Sequence, residues 1–201
     1  MQQHRLGQIR RKVNDMSGQT QNETHFMLDC ESLGVTPDSV VLSVGVVQFD
    51  PYGQLAPFNS YYRELAVGAQ PSRKIDPRTL EWWEKQPNKP NGEWYPDIVC
   101  LGIVSHIQLM TVSNSTPVIW ARGTDFDIPL LTNLFAQYDL AVPWKYNQVR
   151  DLRTISKLFP NIVPTANNNP HNALSDALCQ AEHCGRILRR IRQLEAIAVQ
   201  S

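Results

Sequence analysis

Residues 24–34, THFMLDCESLG, decide how the rest of the chain is read. HFMLD, residues 25–29 with Phe26, Met27 and Leu28 at its centre, reads as a short buried strand, and it closes on two acids, Asp29 and Glu31, set two positions apart. Side chains alternate across a strand, so Asp29 and Glu31 share one face and Cys30 takes the other. Carboxylates aimed together repel and raise each other's pKa, which costs stability unless cations neutralise them. Where further acids join such a pair, oxygen-only ligands suit hard divalent ions such as Mg²⁺ or Mn²⁺.

Downstream, VVLSVGVVQF at 40–49 is a β-branched run long enough for a second strand. Asp50, Pro51, Tyr52 and Gly53 supply turn chemistry, and 56–63 reads as a third strand, so strands two and three should form an antiparallel hairpin. The pattern then changes to helices over 77–86 and 98–110, separated by a loop. A short apolar strand at 117–120 follows, then a helix over 127–138 with Pro129 in its first turn. A fifth strand is expected at 146–150, a helix at 152–158, a loop rich in proline and asparagine at 160–170, and a long helix at 172–197. Three strands followed by alternating strands and helices predict an α/β fold, a mixed five-stranded sheet whose first three strands are antiparallel, flanked by helices.

With 201 residues, 42% of them hydrophobic and 19% charged, the chain suits one folded domain and excludes wholesale disorder. Residues 1–23 are polar and lack either period, so they are expected to form a flexible tail ahead of a domain at 24–201. No apolar run is long enough to span a bilayer and the start lacks a secretory signal, so a cytoplasmic location, or the host cytoplasm for a phage protein, is expected, with no membrane partner. Nineteen basic residues balance nineteen acidic ones, so no overall field announces a nucleic acid. An acidic site can still grip a polyanion once bound cations invert its field. Cys30, Cys100, Cys179 and Cys184 are scattered and read as reduced thiols; Cys179, His183 and Cys184 lack a fourth ligand nearby for zinc.

Further acids stand where strands end or helices begin: Asp125 and Asp127 after the fourth strand, and Asp176 one turn into the last helix, with His171 ahead of it. Singly, each is ordinary as a solvated or capping residue. Together, MLDCESLG with VVLSVGVVQFDP, then WARGTDFDIPLL, then HNALSDA, resemble the three exonuclease motifs of the DnaQ-like DEDDh family, within the RNase H-like fold. The resemblance spans roughly residues 24–195 and is nearest to compact single-domain members similar to RNase T and the small 3′-to-5′ exoribonucleases.

This resemblance implies a 3′-to-5′ exonuclease acting on single-stranded DNA or RNA ends and releasing nucleoside 5′-monophosphates. Asp29, Glu31, Asp127 and Asp176 would hold two ions, Mg²⁺ or Mn²⁺, and His171 would be the general base. Asp127 is chosen over Asp125 because the family pairs this acid with a preceding aromatic, here Phe126; Asp125 is then left to cap the helix. Arg122 and Gly123 stand where the family often has an asparagine, which leaves a substrate contact open. His171 and Asp176 are five positions apart, about 140° around a helix, so His171 should lie in the loop before it. Histidine as a residue type titrates near neutrality, which suits it to accept a proton from water.

Substrate contacts are expected from Leu33 and Gly34, from Phe126, and from the tandem Trp82 and Trp83, of which one can be core while the other stacks on a base. Arg186, Arg189, Arg190 and Arg192, or Arg150 with Arg153, could track phosphates, although a solvated helix face is the commoner explanation. Asp151 is expected to cap the short helix. The resemblance also admits a homodimer. Two other readings stay open: a non-catalytic binding module on a nuclease scaffold, and an RNase H-like endonuclease.

Overall fold

The computed structural model describes residues 23–52 and 59–200. The expected tail therefore lies outside the described residues, except that Glu23 opens the first strand, and so does the expected start of the third strand at 56–58.

Five strands form one sheet: β1 (Glu23–Ser32), β2 (Val41–Phe49), β3 (Asn59–Glu64), β4 (Thr116–Ala121) and β5 (Val149–Asp151), in the order β3-β2-β1-β4-β5. The first three are antiparallel, and β4 and β5 run parallel to β1. Helices α1 (Pro77–Glu84), α2 (Pro96–Met110), α3 (Asp127–Ala136), α4 (Leu152–Leu158) and α5 (Ala173–Gln200) complete the fold. Proline opens α1 and α2, where its missing N–H costs nothing. Asp76 caps α1 by accepting from the Arg78 and Thr79 amides, and Asp151 caps α4 through Arg153 and Thr154, as the sequence implied.

Alternation along β1 sorts its side chains between two cores. Phe26, Leu28 and Cys30 pack with Val99, Ile103 and Ile107 of α2 and with Leu130 and Leu134 of α3. Met27 packs on the other face with Val47, Val118 and Trp120, against Ala177, Ala181, Cys184 and Ile187 of α5. Those four recur at helical spacing and start small, so α5 lies close to the sheet. All four cysteines are free thiols. No helix among the described residues is long and apolar enough to cross a membrane.

Three local expectations change. The fifth strand is only Val149–Asp151, because residues 146–148 close a turn in which the Gln148 side-chain oxygen accepts from the Lys145 amide at 2.6 Å. Helix α3 stops at Ala136, two residues early, where Asp139 takes a left-handed backbone (φ 54°) that ends the turn. Asp125 does not cap α3: Phe126 is the cap residue without a side-chain bond, and the exposed Asp125 carboxylate lies 3.5 Å from Arg153.

Candidate active site

The strand order reverses at β1, with β2 on one side and β4 on the other, and open α/β sheets form their crevices at such points. Pairing between β1 and β4 runs from Glu23 with Thr116 to Met27 with Trp120. Beyond it the Cys30 amide donates to Asp127 Oδ1 at 3.0 Å, so the first turn of α3 is tied to the end of β1. Asp127 is 3% exposed.

The opposite approach is made by α5. Asp29 faces Gly45 across the β1–β2 pair, and a Cβ at Gly45 would lie 2.7 Å from the Leu174 amide nitrogen and nearer still to the Ala173 carbonyl. Only glycine leaves room for the start of α5 to sit on the sheet there. Asp176, one turn in, thereby reaches the β1 acids: carboxylate oxygens of Asp29, Glu31 and Asp176 all lie within 4.8 Å of one another. All three residues are half-buried.

Burial above all, then the Asp176 charge, pushes the Asp29 carboxyl up to about 7, against the opposing effects of the Gln180 hydrogen bond and of Arg122. Glu31 rises to about 8 by burial and by the charges of Asp29 and Asp176. Asp127 is pushed well above the usual carboxylate range by burial and by Asp29. Without a counter-charge the cluster resists full ionisation, and its donors are all oxygens. That donor set fits divalent cations of the Mg²⁺ or Mn²⁺ kind.

Neutral amides orient two of the acids. Gln180 Nε2 donates to Asp29 Oδ1 at 2.7 Å, and Asn167 Nδ2 donates to Asp176 Oδ1 at 3.0 Å. The sequence reading missed both roles. Gln180 lies four residues after Asp176, hence on the same helix face, and that spacing was the available signal. Asn167 was read only as part of an asparagine-rich loop.

His171 lies ahead of α5, as its spacing from Asp176 required, with a left-handed backbone (φ 60°) and an exposed side chain. Its loop is fastened on several sides. Asn88 Nδ2 donates to the Pro170 carbonyl at 2.7 Å, and Asn172 Nδ2 donates to Tyr62 Oη at 3.1 Å, while Tyr62 donates to Glu64 at 2.7 Å. The His171 ring stands edge-on to Trp82 with centroids 4.7 Å apart. Trp82 is 39% exposed, whereas Trp83 is 2% exposed and donates from Nε1 to the Ser32 carbonyl at 2.9 Å. One tryptophan is thus core and its neighbour faces outward.

The remaining expected contacts divide. Leu33 is 2% exposed and packs with Val40, Leu42 and Trp83, so its side chain is core. Gly34 is buried against Ser39, and Phe126 packs partly buried on the α2–α3 core. Among the expected phosphate-tracking arginines, Arg186 donates to the Val163 carbonyl, Arg192 covers the Tyr52 ring and Arg150 donates to the Asn147 carbonyl. His183 Nε2 bonds the Ile162 carbonyl at 2.6 Å, which takes that nitrogen out of any zinc site.

Comparison with solved structures finds the same fold in exonucleases. E. coli exonuclease I in complex with a 5cy-dT13 oligonucleotide matches with TM-score 0.59 and 17% identity, covering 88% of this chain and 43% of that one. The nuclease domain of 3′hExo, a DEDDh family member bound to rAMP, matches with TM-score 0.55 and 12% identity over 85% of this chain and 92% of the other. A 3′-exonuclease that recognises the histone mRNA stem-loop matches with TM-score 0.59 and 10% identity over 93% and 72%. The alignments with exonuclease I take in less than half of that enzyme's length. Comparison with curated proteins returns no match. Residues 24–188 match the family described as 3′-5′ exoribonuclease Rv2179c-like domain, a span that contains all four acids and His171. The chain belongs to this family of DnaQ-like 3′-5′ exonucleases.

Proposed function

We propose that the protein is a divalent-metal-dependent exonuclease that removes nucleoside 5′-monophosphates one at a time from the 3′ end of single-stranded RNA. The observation that carries this reading is the convergence of Asp29, Glu31 and Asp176 from β1 and α5 to within 4.8 Å. Asp29, Glu31, Asp127 and Asp176 are the residues that would hold two cations. When bound, such ions lower the pKa of water and offset the negative charge that develops on phosphate. His171 accepts the proton of the attacking water as oxygen adds to phosphorus. The bond from phosphorus to the 3′ oxygen breaks, and that oxygen leaves with the shortened strand, taking a proton from solvent. Gln180 and Asn167 keep Asp29 and Asp176 aimed inward, and Trp82 offers its outward face to the terminal base. Leu33 and Trp83 support the site from the core.

RNA is favoured by the family's description as an exoribonuclease, with DNA as the alternative. The test is a time course on matched 5′-labelled RNA and DNA strands, with free or blocked 3′ ends, in Mg²⁺, Mn²⁺ or EDTA. Stepwise shortening of free-ended RNA that needs the cation and is lost in Asp29→Asn is the expected result. Cutting of blocked or circular strands, or full activity in EDTA, would overturn the reading.

A further inference from the structure

Arg122 follows the last residue of β4, at the end of the sheet where the acids of β1 stand. Trp120 pairs with Met27 as the last rung of the parallel β1–β4 ladder, and Arg122 and Asp29 each follow that rung by two residues. Met27 and Trp120 both pack on the α5 side of the sheet, and alternation along β1 sends Asp29 to that same side. A second observation agrees: the Arg122 charge acts on Asp29 and also on His183, which lies on α5 itself.

The backbone around Arg122 is pinned while its side chain is not. The Gly123 amide donates to Asp151 Oδ1 at 3.0 Å, and Arg153 Nη2 donates to the Arg122 carbonyl at 3.3 Å. Gly123 has φ 105°, a conformation that favours glycine, and a Cβ there would strike the Arg153 guanidinium. Arg122 itself is exposed and makes no side-chain hydrogen bond or ion pair among the described residues. This sets it apart from Arg150, Arg153, Arg186 and Arg192, each engaged with its own chain.

Charge balance gives the free guanidinium a task. Four ionised carboxylates and two divalent cations sum to zero, so the loaded site carries no surplus charge for a phosphodiester, and hydrolysis adds a further negative charge as it proceeds. A planar guanidinium fits phosphate oxygens through paired N–H donors. We propose that Arg122 grips a non-bridging oxygen of the phosphate seated at the acid cluster, binding the terminal phosphodiester and then the 5′-monophosphate product. This inference rests on the exonuclease reading above.

The experiment compares wild type with Arg122→Ala and Arg122→Lys in three measurements. Calorimetric titration with Mn²⁺ should give unchanged stoichiometry in both variants, because Arg122 is not a ligand; loss of Mn²⁺ binding would make it a structural support and overturn the assignment. Adenosine 5′-monophosphate titrated onto the Mn²⁺-loaded protein should bind Arg122→Ala roughly tenfold more weakly or worse, with Arg122→Lys between. Turnover of labelled RNA should fall about 10²- to 10³-fold in kcat for Arg122→Ala, and its salt dependence should flatten by about one phosphate contact. Equal monophosphate affinity in wild type and Arg122→Ala overturns the inference even in an active nuclease. Wild type that binds monophosphate through Arg122 yet shortens no strand overturns the exonuclease reading instead and leaves Arg122 as an anion contact.

Discussion

Gly45→Ala is the most direct probe of how the site is held together. The added Cβ would sit 2.7 Å from the Leu174 nitrogen and nearer still to the Ala173 carbonyl, and ordinary van der Waals contact begins at 3.4 Å, so the start of α5 must retreat by more than roughly 0.7 Å or the sheet must yield. The obstructing atoms are backbone, which no rotamer change can clear. Overpacking of this kind costs about 1–3 kcal/mol, and in a chain of this size each kcal/mol lowers Tm by about 2–4 °C. The retreat also carries Asp176 away from Asp29 and Glu31, and a misplacement near 1 Å can cost about 10²-fold in rate. Differential scanning fluorimetry should show the lowered Tm, and Mn²⁺ calorimetry should show weaker binding. Gly68→Ala is the control, since a Cβ at Gly68 meets nothing within 4 Å. Wild-type stability and Mn²⁺ affinity in Gly45→Ala would refute the claim that the helix is seated by the missing side chain.

Stability should fall with pH in the metal-free protein. Asp29 and Glu31 rise from 3.8 and 4.5 to about 7 and about 8, so the folded state binds more protons than the unfolded. Their contribution is therefore whole below pH 4 and is lost as pH climbs through 7 and 8. Urea unfolding in EDTA between pH 5 and 9 should show this decline, shallower in Asp29→Asn and reversed by Mn²⁺; an identical pH profile in wild type and Asp29→Asn would contradict it. The adjacent tryptophans should separate. Trp83→Ala should cost about 3–5 kcal/mol of stability, whereas Trp82→Ala should leave the melt nearly unchanged and raise KM by the equivalent of about 1–3 kcal/mol of lost stacking. Tyr62→Phe removes the hydroxyl between Glu64 and Asn172, so a loss of about 1–2 kcal/mol in the thermal melt should accompany a drop in kcat, with Mn²⁺ affinity retained.

The strands and acids that define the site were legible because their signals are local. β-branched runs set β1 and β2, alternation set the shared face of Asp29 and Glu31, and helical geometry placed His171 ahead of α5. What escaped depends on partners distant in sequence. The Asp125 carboxylate sits beside a guanidinium 28 positions away, and Gln180 finds Asp29 from 151 positions away. Leu33 looked available after the first acids, but Val40, Leu42 and Trp83 close over it. Likewise, the need for glycine at position 45 comes from a helix that begins more than a hundred residues later.

That separation has a bearing on synthesis. Chains grow from the N-terminus, and a domain folds as a unit once its parts have emerged. Asp29 and Glu31 would be made long before α5, yet the helix that completes their cluster is the last element of the described fold. A partly translated chain would thus carry Asp29 and Glu31 without the third carboxylate of their cluster. Docking of that one helix would be the step that brings Asp176 to its partners and finishes the constellation.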